Sequence, residues 1–414
     1  MALKEPLSSP SDRLNEPPAG QRRITLLGAT GSVGSSTIDL ICQAPDRYSV
    51  QAVTANRNVD QLADIARKVR AAVAVITNET LLNDLRDRLS GTGIEVAAGL
   101  SATIEAAARP ADLVVGGIVG SAGLAPALAA IKTGASLALA NKECLVCAGS
   151  LFIDQAKRAG AAILPIDSEH NAIFQVLDRG GEAGVERLIL TASGGPFRTA
   201  SLASMQAATP ADALAHPVWD MGAKISIDSA TMMNKGLEII EAHFLFDMPA
   251  PKIEVVVHPQ SIVHSLVGYA DGSVLAQLGC PDMRIPIAHA LAYPDRMPTN
   301  SPRLDLAEIG QLTFEQPDTG RFRSLELARE ALSGQVGQPA VLNAANEIAV
   351  EFFLGKRLGF MDIPALVEET ISVIDIPPIT GLDDVMMLDD EARRKATELV
   401  NGPLFTKKSA ASAH

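Results

Sequence analysis

The sequence predicts an α/β protein: an N-terminal doubly wound parallel sheet of the Rossmann kind, a central α/β catalytic domain, and a C-terminal helical bundle. Three observations carry that prediction. A β-rich run, ITLLG, enters the glycine turn Gly28-Ala-Thr-Gly31-Ser-Val-Gly34 and leaves it in a helical pattern with Ile38, Ile41 and Cys42 on one face. Short apolar runs then alternate with Ala-rich helical stretches as far as Pro165. Beyond Arg323 the chain reads as successive 3.6-residue patterns broken by Gly and Pro.

In the nucleotide-binding part, the glycines let the backbone pass close to a pyrophosphate. Its charge meets the free N–H groups and positive end of the following helix, with Thr30, Gly31, Ser32 and Val33 as contacts. A second strand, YSVQAVTA (48–55), ends at Ala55. Asn56-Arg57-Asn58 then stands where an NAD enzyme places an acid on the ribose. An arginine there suits a 2′-phosphate, so the expected cofactor is NADPH, held in part by Arg57 and Asn58. Further strands are expected at 72–77, 111–118 and 135–140. Ligand in such a sheet lies at the carboxyl ends of the strands. Three loops fit that edge: Gly117–Gly120, Ala140–Glu143 and Asp167–Glu169.

The last of these lies in ILPIDSEHNAIFQ (163–175), a buried-strand pattern ending in acids. Asp167 and Glu169, two apart on an extended segment, point to one face. Two converging anions call for a cation, and oxygen ligands without a Cys/His cage favour Mg²⁺ or Mn²⁺. His170 is a weaker third ligand or a cap for the next helix, and acids at a helix N-terminus are themselves stabilising.

Downstream, a strand ends in Ser193-Gly194-Gly195, a turn able to hold a phosphate oxygen. A long polar stretch leads to His216-Pro-Val-Trp219 and Met221-Gly222, with the only tryptophan, and reads as a lid. In KISIDSATMMNKGLEIIEAHFLF, Asp228 and Ser229 are expected to cap a helix running from Ala230. Asn234 with Glu238, Lys235 with Glu238, and Glu238 with Glu241 fall at four- and three-residue spacings on one face. Asn and Lys suit phosphate oxygens and Glu a metal; a surface helix with a Lys–Glu pair is the plainer alternative.

GATGSVG, ANKE, PIDSEHNAIFQ, SGGPFR, HPVWDMGAKISIDSATMMNKGLEIIEA and HPQSIVHSLVGYADGSVLAQLGCPDMR together resemble the 1-deoxy-D-xylulose 5-phosphate reductoisomerase family, over residues from about 22 to 405. Such enzymes rearrange a ketose phosphate and reduce the resulting aldehyde with NADPH, giving 2-C-methyl-D-erythritol 4-phosphate for isoprenoid biosynthesis. The resemblance implies Asp167, Glu169 and Glu238 as metal ligands, and these with Lys235 as the catalytic set. It implies Ser193, Ser229, Asn234 and Lys235 on the substrate phosphate, Ser168, His216 and Glu238 on the substrate, and Trp219 over its carbon chain. Asn141, Lys142, Glu143, Met221 and Gly222 fall where the family touches the cofactor. Cys144 stands where a small Ser or Ala is more usual.

The remaining expectations are organisational: a tail at 1–21, an NADPH-binding domain at 22–167, a catalytic and dimerisation domain at 168–292, a Pro-rich linker at 293–318 and helices at 319–408. The hairpin pattern around Ala270-Asp271-Gly272 offers an exposed sheet for pairing in a homodimer. Length (414 residues) and 47% hydrophobic side chains allow large cores. A net charge of −13 without a basic stripe argues against nucleic acid. Residues 1–21 lack the apolar stretch of a signal peptide, and no run approaches the roughly twenty apolar residues needed to span a bilayer. The four cysteines (42, 144, 147 and 280) are too few for a disulfide framework, which suits a cytoplasmic protein. Two other readings share the N-terminal fold: a homoserine dehydrogenase-like oxidoreductase and a non-catalytic NADPH-sensing regulator. Neither uses the Asp-Ser-Glu cluster.

Overall fold

The computed structural model describes residues 20–178, 184–219 and 221–405; the expected N-terminal tail lies outside them apart from Gly20 and Gln21. The chain forms two compact units.

The first unit holds seven strands, β1 (Arg22–Leu27), β2 (Tyr48–Ala55), β3 (Val73–Ile76), β4 (Glu95–Ala98), β5 (Leu113–Gly116), β6 (Ser136–Leu139) and β7 (Ile163–Pro165). They form one parallel sheet in the order β4-β3-β2-β1-β5-β6-β7. Strands such as Val73-Ala-Val-Ile76 and Leu113-Val-Val-Gly116 are apolar on both faces and buried throughout. A parallel sheet demands this, because helices cover both sides. Its helices are α1 (Ser32–Gln43), α2 (Val59–Lys68), α3 (Leu82–Arg88), α4 (Gly99–Ala107) and α5 (Leu124–Lys132), with parts of α6 (Glu143–Ala159) and α7 (Ser168–Val176), whose residues 145–151 and 172–176 belong to the second unit. The order reverses at β1, whose neighbours are β2 and β5, so the glycine turn after β1 opens at the switch point where this fold binds ligands.

The second unit holds β8 (Val185–Ala192), α8 (Leu202–Gln206), α9 (Pro210–Leu214), α10 (Ala223–Ala230), α11 (Met233–Phe246), β9 (Ile253–Val257), β10 (Val263–Tyr269) and β11 (Val274–Leu278). Then α12 (Arg284–Ala292) returns to the first unit, since the stretch Asp282–Ser301 belongs there, across the segment boundary expected after residue 292. Arg22 ties it in by donating to the Leu291 carbonyl at 2.8 Å. α13 (Leu306–Ile309), α14 (Ser324–Ser333), α15 (Gln338–Leu354), α16 (Asp362–Val373) and α17 (Leu382–Val400) complete the second unit. Its sheet runs β11-β10-β8-β9, with β8 and β9 parallel and the β10–β11 hairpin antiparallel. Phe197, Phe353 and Phe360 stack within its apolar core, with ring centroids 4.6 Å apart for Phe197–Phe360 and 5.8 Å for Phe353–Phe360. β11 is a sheet edge whose Val274 and Leu275 are 47% and 48% exposed.

Two local expectations are corrected. The polar stretch before Trp219 is not one long loop. Ser201 caps α8 by accepting from Ser204 N, and a reciprocal Thr209–Asp212 capping box starts α9 behind Pro210. Around Trp219 the described irregular backbone is then 215–219 and 221–222. Asp228 and Ser229 do not cap a helix either. They lie inside α10, and the break falls at Met232, whose φ of +62° turns the chain into α11.

Candidate active site

The glycine turn is built by contacts that leave no space for side chains. A Cβ on Gly28, at φ +80°, would sit 2.6 Å from the Gly117 carbonyl oxygen, and one on Gly34 would meet the Gly28 and Ala29 backbone at 2.5 Å. Gly28 N donates to Thr54 Oγ1 (3.0 Å) and Ala29 N to the Thr54 carbonyl (2.7 Å), fastening the turn to the end of β2. Thr30, Gly31, Ser32 and Val33 follow, and among the described residues no side chain caps α1, which leaves its N-terminal N–H groups in the arrangement an anion site requires. Ala55 ends β2, and Arg57 is exposed beside it. Asn58 has a structural duty: its Oδ1 accepts from Gln61 N at 3.1 Å and caps α2.

At the ends of β5 and β6, Asn141 draws the 117–120 loop inward through Nδ2, which donates to the carbonyls of Ile118 and, at 2.9 Å, Gly120. Its Oδ1 is buried with no hydrogen-bond partner among the described residues, an acceptor suited to an amide donor from a ligand. Lys142 is buried and donates from Nζ to Asp167 Oδ2 at 2.7 Å; Glu143 is buried in the first turn of α6.

Asp167 precedes α7. Its Oδ1 accepts from Glu169 N (3.3 Å) and faces His170 Nδ1 at 3.1 Å. The carboxylate therefore caps the helix and forms an ion pair with Lys142 together. Ser168 donates to Glu169 Oε2. Asn171 fastens the turn from behind, with Nδ2 2.8 Å from the Pro165 carbonyl and 3.1 Å from His289 Nδ1.

In the second unit, Ser193 ends β8 and is followed by Gly194 and Gly195, at φ +83° and +66°. Such angles strain any side-chain-bearing residue. The turn packs on α10 so closely that a Gly195 Cβ would lie 2.8 Å from the Ser229 carbonyl oxygen. Ser193 and Ser229 are thereby brought to one corner. His216 Nδ1 accepts from the backbone N–H of Val218 (3.2 Å) and Trp219 (2.9 Å), so Nδ1 carries no proton and the proton sits on Nε2, 2.9 Å from Ser193 Oγ. Burial lowers the His216 pKa below its ordinary value, in agreement with a neutral ring. Trp219 is half-buried, its ring 6.3 Å from that of His264. His264 was missed in the sequence although the HPQSIVHS motif contains it. Met221 and Gly222 lead into α10, where Ser226 Oγ donates to the Gly222 carbonyl at 3.1 Å.

α11 is a buried helix, not a surface one: Lys235, Glu238 and Glu241 are all buried. The predicted face is realised. Asn234 Nδ2 donates to Glu238 Oε1 at 2.5 Å, and Lys235 Nζ to Glu238 Oε2. Asn234 and Lys235 stand in the first turn, at the positive end of the helix dipole, where a phosphate is favoured.

Three family profiles match the chain: 1-deoxy-D-xylulose 5-phosphate reductoisomerase over residues 24–149, the C-terminal domain of that family over 163–246, and the DXP reductoisomerase C-terminal domain over 278–395. The 1-deoxy-D-xylulose 5-phosphate reductoisomerase of Rhodospirillum centenum is 58% identical over 92% of this chain and 95% of its own length; that of Zymomonas mobilis is 54% identical over 92% and 98%. The solved structure of the Zymomonas mobilis protein in complex with NADPH superposes with a TM-score of 0.88 at 53% identity, covering 92% of this chain and 99% of that one. A reductoisomerase in complex with NADPH, fosmidomycin and magnesium gives 0.87 at 44% identity, covering 92% and 98%.

Proposed function

The chain belongs to the 1-deoxy-D-xylulose 5-phosphate reductoisomerase family, and we propose that it converts 1-deoxy-D-xylulose 5-phosphate to 2-C-methyl-D-erythritol 4-phosphate with NADPH and a divalent metal. The observation that carries this reading is the constellation of half-buried Asn234 with buried Lys235 and Glu238 at the start of α11. A dehydrogenase that only moves hydride, or a nucleotide sensor, has no use for it.

The donor sets suit both groups. The glycine cradle, the uncapped α1 and the partnerless Asn141 Oδ1 suit a dinucleotide, with Thr30–Val33, Ala55, Arg57, Asn58, Asn141–Glu143, Met221 and Gly222 as contacts. Arg57 would pair the 2′-phosphate. Asp167, Glu169 and Glu238 offer only carboxylate oxygens, a set for a hard ion such as Mg²⁺ or Mn²⁺. When bound, the ion supplies Lewis-acid polarisation of the ketone and NADPH supplies the hydride.

The protein's own part begins with the phosphate. Ser193 Oγ accepts from His216 Nε2 and from Gly195 N (3.2 Å), so its hydroxyl hydrogen is left to point outward at a phosphate oxygen. Ser229, Asn234 and Lys235 donate to the other oxygens. Binding energy from this remote group drives closure of the 215–222 segment and orients the reacting carbons. Trp219 covers the carbon chain and excludes water, and Ser168 and His216 contact the substrate. Lys235, held on Glu238, is placed to stabilise charge developing on substrate oxygen.

We place this activity in the cytoplasm: among the described residues the cysteines form no disulfide, and no helix is long and apolar enough to cross a membrane. A homodimer formed through the exposed β11 edge would bury Val274, Leu275 and Leu278. The test is NADPH oxidation with 1-deoxy-D-xylulose 5-phosphate and Mg²⁺, before and after exhaustive chelation. Chelation should abolish turnover and leave NADPH binding intact; full activity of the chelated enzyme would refute the metal assignment.

A further inference from the structure

We infer that Asn346, on α15 of the C-terminal helices, is a positioning residue for the substrate phosphate: through Asp228 it fixes the rotation of α10 and hence the place of the Ser229 hydroxyl. The inference rests on the assignment of Ser229 to the phosphate.

Asp228 is buried, and both its oxygens are engaged, Oδ1 by Asn346 Nδ2 at 2.7 Å and Oδ2 by Lys224 Nζ at 3.0 Å. Asn346 is fully buried, and its own Oδ1 has no hydrogen-bond partner among the described residues. An apolar residue of the same volume would avoid that unsatisfied acceptor, so packing does not explain the amide. Its one bond reaches across 118 positions of chain to the residue beside Ser229.

The geometry gives that bond leverage. α10 spans Ala223–Ala230, and Ile227 and Ala230 lie in the apolar core, which resists translation but admits rolling. Asp228 and Ser229 are successive residues, about 100° apart around the helix. Asp228 faces α15, while the Ser229 backbone abuts the Ser193-Gly194-Gly195 turn. A roll of about 20° would move a hydroxyl lying roughly 3–4 Å from the axis by about 1 Å. Displacements of that size cost about a hundredfold in catalysis. The same roll reaches α11, because Met232 N donates to the Ser229 carbonyl at 3.1 Å just before Asn234 and Lys235. The Lys224–Asp228 pair does not by itself hold the rotation, because both residues stand on α10, four positions apart.

The test is steady-state kinetics of the full-length enzyme with Mg²⁺ and NADPH, on Asn346→Leu, Asn346→Asp, Asp228→Asn and the exchange D228N/N346D. Asn346→Leu removes the donor without adding charge, and Asn346→Asp sets two carboxylates against each other. Both should raise the KM for 1-deoxy-D-xylulose 5-phosphate about tenfold or more while the NADPH Kd stays within about twofold. The exchange restores an amide-to-carboxylate bond with a carbonyl oxygen for Lys224, and should bring KM back to within about threefold of the parent. Lowered melting temperature with unchanged KM, or failure of every Asn346 variant to fold, would assign the bond to the fold and overturn the inference. Ser229→Ala separates the two levels. No change in KM there overturns the phosphate assignment itself; a raised KM there, with unaffected Asn346 variants, overturns only the role of Asn346.

Discussion

Alanine at Gly195 and at Gly194 should have different consequences, although both glycines have left-handed backbone angles. Each substitution incurs roughly 1–2 kcal/mol for placing a Cβ in that region. At Gly194 the new Cβ would meet chiefly Arg198, with Cδ at 2.7 Å and Cγ at 2.8 Å, a flexible side chain that can swing aside within its ion pair with Glu315. At Gly195 it would meet the Ser229 carbonyl oxygen at 2.8 Å and the Ala230 Cα at 3.1 Å, backbone that yields only if α10 moves. Overpacking of that kind adds about 1–3 kcal/mol, so Gly195→Ala should cost about 2–5 kcal/mol against about 1–2 for Gly194→Ala. It should also separate Ser193 from Ser229 and raise the substrate KM, with NADPH affinity as the unaffected control. Urea titration followed by fluorescence reads the right unit, because Trp219 is the only tryptophan. Equal stability losses for the two variants, together with a KM for Gly195→Ala unchanged from the parent, would refute the claim that this turn and α10 form one phosphate corner.

Three further expectations concern the cofactor and the lid. Arg57→Ala should narrow the preference for NADPH over NADH by about 10- to 100-fold, the worth of a charge-assisted pair to the 2′-phosphate; an unchanged ratio of catalytic efficiencies would remove Arg57 from that role. Trp219→Ala should lower turnover while costing less than the roughly 3–5 kcal/mol of a core Trp truncation, because the ring is only half-buried; a full core-sized loss would make it a packing residue. His216 has a lowered pKa from burial, so its contribution is complete above the ordinary value of about 6.5 and is lost as pH falls through the lowered one. Protonating Nδ1 would expel the Val218 and Trp219 N–H groups, so Trp219 fluorescence should change with a midpoint below about pH 6.5; the same transition in His216→Asn would refute that origin.

What the sequence made legible was what depends on neighbours along the chain. The Tyr48–Ala55 strand appears with the expected bounds, and the Asn234, Lys235 and Glu238 contacts follow from helical spacing alone. The misses share a physical cause. β4 has the sequence Glu95-Val-Ala-Ala98 at a half-exposed sheet edge and offers no apolar run. The break at Met232 has no Gly or Pro to announce it, because buried packing imposes the left-handed angle on a residue that would not choose it. Asp228 looked like a cap because its partner Asn346 is remote in sequence. The 199–222 stretch was misjudged for a different reason: its capping residues were present and legible, but its polarity was given more weight.

The charge arrangement shows why those buried acids are tolerable. Asp167 and Glu238 are carboxylates largely withdrawn from solvent, and desolvated anions are costly unless paired. Each has its ammonium within its own unit: Lys142 on Asp167 in the first, Lys235 on Glu238 in the second. These two charges are therefore each balanced within their own unit. Under the proposed function the lysines would also take part in binding. A cation would compete with an ammonium at each carboxylate, and the displaced ammonium could turn to an anionic substrate oxygen. Metal and phosphorylated substrate would then favour each other's binding, because each accepts what the other displaces. That coupling belongs to the ion pairs themselves and follows from placing lysine, not arginine, beside each acid: a compact, rotatable point charge can change partners where a bidentate guanidinium would hold on.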